Sequence, residues 1–343
     1  MQQLIQKIFR PGFAWLAEKF GSEPEKEIVF KSLSSLYKAI LTKKSHRGLM
    51  IELDENKEKF IIFSDQHKGN RNRGDDFASN EENYLAALKY YHAEGFSLIN
   101  LGDAEELWKY TPEEIVSKNT AALQAEAAFH QQNKYYRTFG NHDILWKNKK
   151  DVSTWLQKDF ILPLRIYEGL VLRTTINSHK QKKHLNILLT HGHQGDTMSD
   201  NNSMSTWLVA HLWAPVQRYL QININTPAKD YHLRDKHNKM MHEWSSNNTN
   251  LLLITGHTHK PVFASGKFTA DPEHKIETNL LPEEMKPCYF NTGCCCYYDG
   301  DITGIEINSG QINLIKWHKE NSLPKRQPLE EMSLAGLYEA INK

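Results

Sequence analysis

Five short groups of acidic, amide and histidine side chains each follow an apolar run of the chain. They are Ser64-Asp65-Gln66-His67, Gly102-Asp103-Ala104-Glu105-Glu106, Gly140-Asn141-His142-Asp143, Thr190-His191-Gly192-His193 and Gly256-His257-Thr258-His259. A single group of this kind is more typical of a solvated loop or a turn. Five groups together, four of them with a glycine where the backbone can turn sharply, indicate one site of acid–base groups and metal ligands.

The spacing within these groups limits how they can bind an ion. Asp65 and His67 are separated by one residue, as are His257 and His259. Side chains at that spacing face opposite ways on a strand, so each pair could share an ion only where the strand has broken into a loop. His257 and His259 could instead serve different ions, and Asp103 could bridge two ions about 3.5–4 Å apart. Oxygen and imidazole ligands predict two divalent transition-metal ions, manganese first, with iron or zinc as alternatives.

Alternating strands and helices precede the polar groups. Apolar runs at 59–64, 96–101 and 135–139 predict strands, and the stretches 80–91 and 120–133 have the periodicity of helices. Further strands are predicted at 170–176, 185–190, 251–255, 289–292, 302–307 and 311–317, the last two joined as a hairpin. This order predicts an α/β fold in which the polar groups meet at the carboxyl ends of the strands.

The remaining segments predict a domain organisation. We expect a helical N-terminal extension over 1–50, the main α/β domain over 51–320, and a C-terminal helical tail over 321–343. The polar stretch at about 196–250 has helical spacings and predicts a helical lid inserted in the main domain. Residues 1–20 are predicted to be either amphipathic helices packed on the body or a peripheral membrane anchor.

Composition restricts partners and location. The 343 residues include 42 Lys and Arg against 41 Asp and Glu, a net charge of +1 that predicts no extended nucleic-acid partner. No apolar run reaches the about 18 residues that span a bilayer. The four cysteines, Cys288 and the run 294–296, fit neither a disulfide framework nor a pair of zinc-binding CxxC motifs, which favours a reducing, cytoplasmic compartment.

Taken in order, Asp-x-His, Gly-Asp-x-x-acid, Gly-Asn-His-Asp, His-Gly and Gly-His-x-His resemble the motifs of the calcineurin-like metallophosphoesterases, over about residues 60–317. The resemblance implies a two-sheet α/β sandwich flanked by helices, with a binuclear metal centre at one edge. It also implies hydrolysis of a phosphomonoester, phosphodiester or pyrophosphate. Carried over by position, the ligands would be Asp65, His67 and His259 for one ion, Asn141, His191 and His257 for the other, and Asp103 between them.

The resemblance also implies catalytic roles. A hydroxide bridging the metals would attack phosphorus, and His142 would stabilise the transferring phosphoryl group or protonate the leaving oxygen. Glu106 occupies the position of the family's usual aspartate, which orients that histidine, so we expect the same role with a shifted geometry. The family's His-Gly pattern selects His191 as the ligand, which leaves His193 as a substrate contact or a plain surface residue.

The substrate is less closely specified. The predicted partner is a small phosphorylated molecule, nucleotide- or lipid-linked, and the predicted substrate contacts are Arg71, Arg73, His193 and Lys260. Gly102–Trp108 and the sequence Gly-His-Thr-His-Lys-Pro are similar to the UDP-2,3-diacylglucosamine hydrolase branch, which cleaves a pyrophosphate at the membrane surface. That branch usually carries arginine at the position of His142. Two different functions would also fit the motifs, namely a nuclease or cyclic-nucleotide phosphodiesterase, and a catalytically idle ligand-binding scaffold.

Overall fold

The computed structural model describes residues 25–43, 46–54, 57–178, 181–195, 231–264 and 285–343. The strands are β1 Gly48–Leu53, β2 Phe60–Phe63, β3 Ser97–Leu101, β4 Tyr135–Thr138, β5 Ile166–Tyr167, β6 Gly169–Ser178, β7 Gln181–Thr190, β8 Leu251–Thr255, β9 Pro261–Val262, β10 Tyr289–Thr292, β11 Ile302–Asn308, β12 Gln311–Glu320 and β13 Leu323–Ser333. The helices are α1 Lys26–Leu41, α2 Glu81–Ala93, α3 Pro112–Lys118, α4 Thr120–Gln131, α5 Lys149–Trp155, α6 Gln157–Phe160, α7 Tyr231–Ser246 and α8 Leu334–Ile341, with a 3-10 turn at Ile144–Lys147.

Two sheets pack against each other in this structure. One has the strand order β1-β6-β7-β8-β10-β9 and the other has the order β13-β12-β11-β2-β3-β4-β5. Strands β2 to β5 run parallel, as do β7, β8 and β10 in the other sheet. The predicted two-sheet α/β sandwich with flanking helices is therefore confirmed. The carboxyl ends of the parallel strands deliver the five polar groups.

The strand Phe60–Phe63 shows why these apolar runs form the centre. Phe60 and Ile62 face the core between the sheets, whereas Ile61 and Phe63 face the core beneath helices α2 and α4. A strand covered on both faces needs a continuous apolar sequence, and all four residues are buried. The apolar run predicted as the first strand therefore lies at the centre of the fold.

Helix α1 covers the outer face of the sheet that contains β6. Its buried residues recur at helical spacing and are Val29, Leu33, Leu36 and Ile40. They pack with Val171 and Leu188 of that sheet. Strand β1 follows α1 and pairs in parallel with β6, so the predicted boundary between residues 50 and 51 is wrong because it divides a strand. Residues 1–24, and with them the prediction of a membrane anchor over 1–20, lie outside the described residues.

Two further predictions need correction. Helix α7 lies within the predicted lid, yet its Met240, Met241 and Trp244 are buried on the outer face of the β6–β8 sheet, so this part is a crossover helix. The rest of the lid prediction, 196–230, lies outside the described residues. The predicted helical tail is wrong for β13, a strand that pairs along β12, and only α8 is helical there. Within the described ranges, no helix is both long and apolar enough to cross a membrane.

Candidate metal centre

The loops that follow five strands converge at one edge of the sandwich. Asp65 and His67 follow β2, Asp103 follows β3, and Asn141 and His142 follow β4. From the other sheet, His191 follows β7, and His257 and His259 follow β8. Asp103 lies between the two sets of predicted ligands, because its Oδ2 is 3.1 Å from His191 Nε2 and 3.7 Å from His67 Nε2.

The backbone at these positions is left-handed, a conformation that non-glycine residues rarely adopt. The φ angles are 52° at Asp65, 49° at His67, 51° at Asp103, 70° at His257 and 56° at His259. The strands have therefore broken at these positions, which is the condition that the one-residue spacing of the ligands required. Side chains that would alternate on a strand now point into one site.

We call Asp65, His67 and His259, the residues predicted to hold one ion, the first ligand cluster. Asp65 Oδ1 is 3.2 Å from His259 Nε2 and 3.8 Å from His67 Nε2, and the two imidazole nitrogens are 3.1 Å apart. Burial raises the pKa of the Asp65 carboxyl, but the charges of His259 and His191 outweigh burial and hold that pKa well below its ordinary value. The carboxylate is therefore ionised, as a metal ligand must be.

We call Asp103, Asn141, His191 and His257, the residues predicted to hold the other ion, the second ligand cluster. The candidate ligand atoms of Asp103, His191 and His257 lie within 4.8 Å of one another. His191 Nδ1 is 3.0 Å from the Leu101 carbonyl oxygen, which directs Nε2 toward Asp103. Burial and the neighbouring His237 lower the pKa of His257 well below its usual range, so this imidazole is neutral.

These residues fit two divalent cations. The Asn141 Oδ1 atom is buried and has no hydrogen-bond partner, and the buried His191 Nε2 faces the Asp103 carboxylate at 3.1 Å. Buried polar atoms without partners are costly in a folded protein. A cation between the carboxylates, the imidazole nitrogens and the amide oxygen would satisfy both atoms with the oxygen and nitrogen donors that Mn, Fe and Zn accept.

Glycine is required where the ligand loops approach each other. A Cβ atom at Gly140 would collide with Asp103 Oδ1 and would lie 2.7 Å from His191 Cδ2. A Cβ atom at Gly256 would lie 2.7 Å from Ser64 Cβ and would also collide with the Asp65 carboxylate. The glycines that mark the motifs therefore allow the close packing that brings the ligands together.

His142 lies beside the ligands and is held on two sides. Its Nδ1 is 2.8 Å from Glu106 Oε1, and its ring stacks on Trp108 with centroids 3.9 Å apart. Glu106 Oε2 is also 3.3 Å from Nδ1 of His67, so the longer side chain reaches two imidazoles. Burial raises the pKa of the Glu106 carboxyl, but the charge of His142 outweighs burial and lowers that pKa well below its ordinary value. Sequence reasoning did not anticipate the contact with Trp108.

A buried ion network lies beneath the ligand loops, and sequence reasoning missed it. Its members are Lys68, Glu105, Glu126, Arg137 and Asp143, all with 0% exposure. Lys68 Nζ is 2.7 Å from Glu126 and 3.3 Å from Glu105, while Arg137 pairs with Glu105 and lies 3.2 Å from Asp143. The signal was available in part, because Lys68, Glu105 and Asp143 stand inside or next to the polar groups.

Asp143 connects this buried ion network to the ligand loops. Its carboxylate accepts hydrogen bonds from the backbone N–H groups of Gly140 at 2.6 Å, Ala104 at 3.0 Å and Asp103 at 3.3 Å. One carboxylate therefore holds the loop after β3 and the loop after β4 in a fixed relation. Those loops carry Asp103 and Asn141, so the network positions both.

Two further histidines, His193 and His237, lie next to the second ligand cluster. His193 is buried, so the prediction that it is a plain surface residue is wrong, and burial lowers its pKa to about 3. Its ring centroid is 5.5 Å from that of His191. His237, on α7, has its Nε2 2.7 Å from the Gly192 carbonyl oxygen, and its ring centroid is 5.1 Å from that of His257. Through this contact His237 supports the loop that carries His191. The prediction of a lid over α7 did not anticipate it.

The predicted cationic substrate contacts lie in different surroundings. Arg71 pairs with Glu81 at the start of α2, and its Nε donates to the Lys118 carbonyl oxygen at 3.2 Å. Arg73 is exposed, and Lys260 is half-buried beside His259. The ion pair with Glu81 occupies the Arg71 guanidinium, so a phosphate would have to compete for it. Contact of these three residues with substrate stays a prediction.

Comparisons with known proteins identify a family and several similar solved structures. A family model described as calcineurin-like phosphoesterase matches residues 58–261. No curated protein matches the chain significantly. One similar solved structure is vacuolar protein sorting 29 from Cryptosporidium parvum, with 12% identity, coverage of 80% of this chain and 98% of that chain, and a TM-score of 0.34. Another is a single mutant of Vps29 from Entamoeba histolytica, with 14% identity, coverage of 79% of this chain and 98% of that chain, and a TM-score of 0.31. A third is a dimetal phosphatase from Danio rerio, with 9% identity, coverage of 81% of this chain and 98% of that chain, and a TM-score of 0.38.

Proposed function

The chain belongs to the calcineurin-like phosphoesterase family, and from that premise we propose that it is a phosphoester hydrolase that uses two divalent metal ions. One observation carries the proposal. The seven residues predicted from the motifs as ligands lie in loops that converge at one edge of the sandwich, where the buried Asn141 Oδ1 atom has no hydrogen-bond partner. The preferred ion is manganese, because the donors are carboxylate, amide and imidazole.

The ligands divide between two ions. Asp65, His67 and His259 would hold one ion, and Asp103 would be shared. The second ion would be held by Asn141, His191 and His257. When bound, two such ions polarise the phosphoryl oxygens and activate water at neutral pH.

The protein's own groups would manage the proton and the leaving group. Because Glu106 occupies Nδ1 of His142, the free nitrogen Nε2 is the one that gives or takes a proton. The stack on Trp108 fixes the plane of the imidazole, so Nε2 presents a defined direction to a substrate. His142 retains 12% exposure of its side chain, which leaves it accessible from outside the site. We assign it the protonation of the leaving oxygen or the stabilisation of the phosphoryl group.

The substrate is proposed to be a small phosphorylated molecule. The near-zero net charge offers no extended cationic track for a nucleic acid, which disfavours a nuclease. The complete ligand set disfavours a catalytically idle scaffold, because a chain that no longer binds metal has no physical need for seven converging ligands.

The test is hydrolysis of a chromogenic monoester and a chromogenic diester by the metal-free protein and after addition of manganese. We expect activity that depends on manganese and a loss of at least about 100-fold in Asp103→Ala and Asn141→Ala. The exposed residues Asp54 and Asn247 provide matched controls, and Asp54→Ala and Asn247→Ala should retain activity. Activity that survives in Asp103→Ala would refute the proposal. Tight metal binding without turnover of any ester would favour the scaffold.

A further inference from the structure

The run of three cysteines lies against the first ligand cluster. All four cysteines of the chain are among the described residues and are free thiols, and only Cys296 is partly exposed. The loop that carries the run is tied to the site by backbone hydrogen bonds. Cys295 N donates to the Asp65 carbonyl oxygen at 3.2 Å, and Thr303 N donates to the Cys294 carbonyl oxygen at 3.0 Å. The position of this loop is therefore coupled to the position of Asp65.

The imidazole of His259 lies between the ligand cluster and this loop. Its Nε2 is 3.2 Å from Asp65 Oδ1 and 3.1 Å from His67 Nε2, so Nε2 faces the cluster. Its Nδ1 is 3.6 Å from Cys296 Sγ, within the range of a hydrogen bond to sulfur, and the buried Cys294 thiol also interacts with this imidazole. A neutral imidazole that ligates through Nε2 carries its proton on Nδ1, and that N–H needs an acceptor.

We propose that Cys296 is the positioning residue for His259, that its sulfur accepts the Nδ1–H, and that the metal centre is for this reason sensitive to modification of this thiol. The inference rests on the metal centre of the proposed function. Ligating histidines usually donate their second N–H to a carboxylate, a carbonyl oxygen or water, which fixes the orientation of the ring. In this chain a thiol occupies that place.

Modification of the Cys296 thiol would displace His259 by steric contact. An alkylating agent such as iodoacetamide forms an S–C bond at Cys296, iodide leaves, and the thiol proton passes to solvent. The added group stands where Sγ now approaches Nδ1 at 3.6 Å, so His259 must rotate or shift. Cys288, Cys294 and Cys295 are buried, which limits the access of the reagent to them.

The first experiment measures manganese affinity by competition with a chelator, without any substrate. We expect Cys296→Ala to weaken one of the two bound ions by about 10–100-fold, because loss of such an orienting partner costs that much in other metal sites. Cys296→Ser, which keeps an acceptor, should stay within a few-fold of wild type. Cys288→Ala is the matched control and should leave both affinities unchanged, since Cys288 hydrogen-bonds with Ser245, away from the ligands.

The second experiment treats the metal-free wild-type protein with iodoacetamide and measures the same affinities. We expect mass spectrometry to locate the label on Cys296 and the same ion to bind more weakly, while Cys296→Ser resists the treatment. This arm needs no destabilising substitution, so it decides the matter even if Cys296→Ala does not fold.

The outcomes separate the inference from the proposed function. Unchanged affinities in Cys296→Ala and in the alkylated protein would overturn the inference alone. An intense sulfur-to-metal absorption band in the cobalt-loaded protein would show direct ligation by Cys296 and would also overturn its positioning role. A wild-type protein that binds two ions and hydrolyses no ester would overturn the proposed function alone. A wild-type protein that binds no ion would overturn both.

Discussion

Replacing Arg137 with methionine removes a central cation from the buried ion network. The five members comprise two cations, Lys68 and Arg137, and three carboxylates, which gives a sum of 2 − 3 = −1. Without Arg137 the sum is 1 − 3 = −2. Glu105 keeps Lys68 at 3.3 Å and the Trp146 indole N–H at 2.7 Å, whereas Asp143 keeps only backbone donors.

The loss of stability expected in Arg137→Met follows from the burial of the ion network. Removing one partner of a buried ion pair typically destabilises a protein by about 3–5 kcal/mol, because the remaining charge is left without compensation. Asp143→Asn changes the same network in the opposite direction, to two cations and two carboxylates, and it keeps one acceptor oxygen. We therefore expect Asp143→Asn to cost about 1–3 kcal/mol, less than Arg137→Met.

The dependence on pH provides a second signature. Burial raises the pKa of Glu105, but Arg137 and Lys68 outweigh burial and lower it to about 2 from an ordinary value of 4.5. Because the folded pKa is the lower one, the contribution of Glu105 to stability is complete above pH 4.5 and is lost as the pH falls toward 2. In Arg137→Met the folded pKa of Glu105 should rise, so the stability should depend less on pH in this window.

The assay is urea unfolding of the metal-free protein, followed by circular dichroism at pH 7 and at steps down to pH 3. The matched control is Arg71→Met, because Arg71 pairs with Glu81 where both side chains are about a quarter exposed. Such a pair contributes about 0–1 kcal/mol. Equal losses of stability in Arg137→Met and Arg71→Met would refute the reasoning, as would an unchanged pH dependence.

Three further predictions concern the site and the packing that supports it. Glu106→Gln removes the charge opposite His142 and should lower kcat by about 10–100-fold, and Glu106→Asp should recover part of the loss. The measurement is steady-state kinetics at saturating manganese, and an unchanged kcat would count against the role of His142. Gly140→Ala places a Cβ against Asp103 and should lower the free energy of unfolding by about 1–3 kcal/mol and weaken metal binding. Urea unfolding and chelator competition measure the two effects, and full retention of stability and metal affinity would contradict the close packing of the loops. Leu33→Ala should cost about 2–5 kcal/mol in urea unfolding, whereas a loss below 1 kcal/mol would mean that α1 is not part of the core.

Sequence reasoning located the ligand loops because each follows a strand that is buried on both faces. The run at β2 is apolar throughout and the run at β3 is largely so, and a polar residue after such a run marks the point where the chain leaves the sheet. Strand β4 departs from this pattern, because it carries Arg137 and Thr138. The glycines then identified which loops must pack closely. These signals are local, so a single sequence carries them.

The errors arose where the state of a segment depends on a distant partner. Strand β13 contains two prolines and several charged residues, and it is a strand because β12 offers its edge over ten pairs. Helix α7 has a helical periodicity, but the periodicity does not say whether its apolar face covers a sheet or an opening. The ion pair between Lys68 and Glu126 joins two segments far apart in the sequence, and neither residue alone indicates the other.

The left-handed backbone at the ligand positions has an evolutionary consequence. Each non-glycine residue held in that conformation costs about 1–3 kcal/mol, and five of the ligands are held in it. A change from His67 or His257 to glycine would remove a ligand and relieve part of that cost at once. Drift in a lineage no longer selected for metal binding would therefore meet little resistance from folding at these positions. In this chain Asp and His therefore hold these positions at a cost to stability.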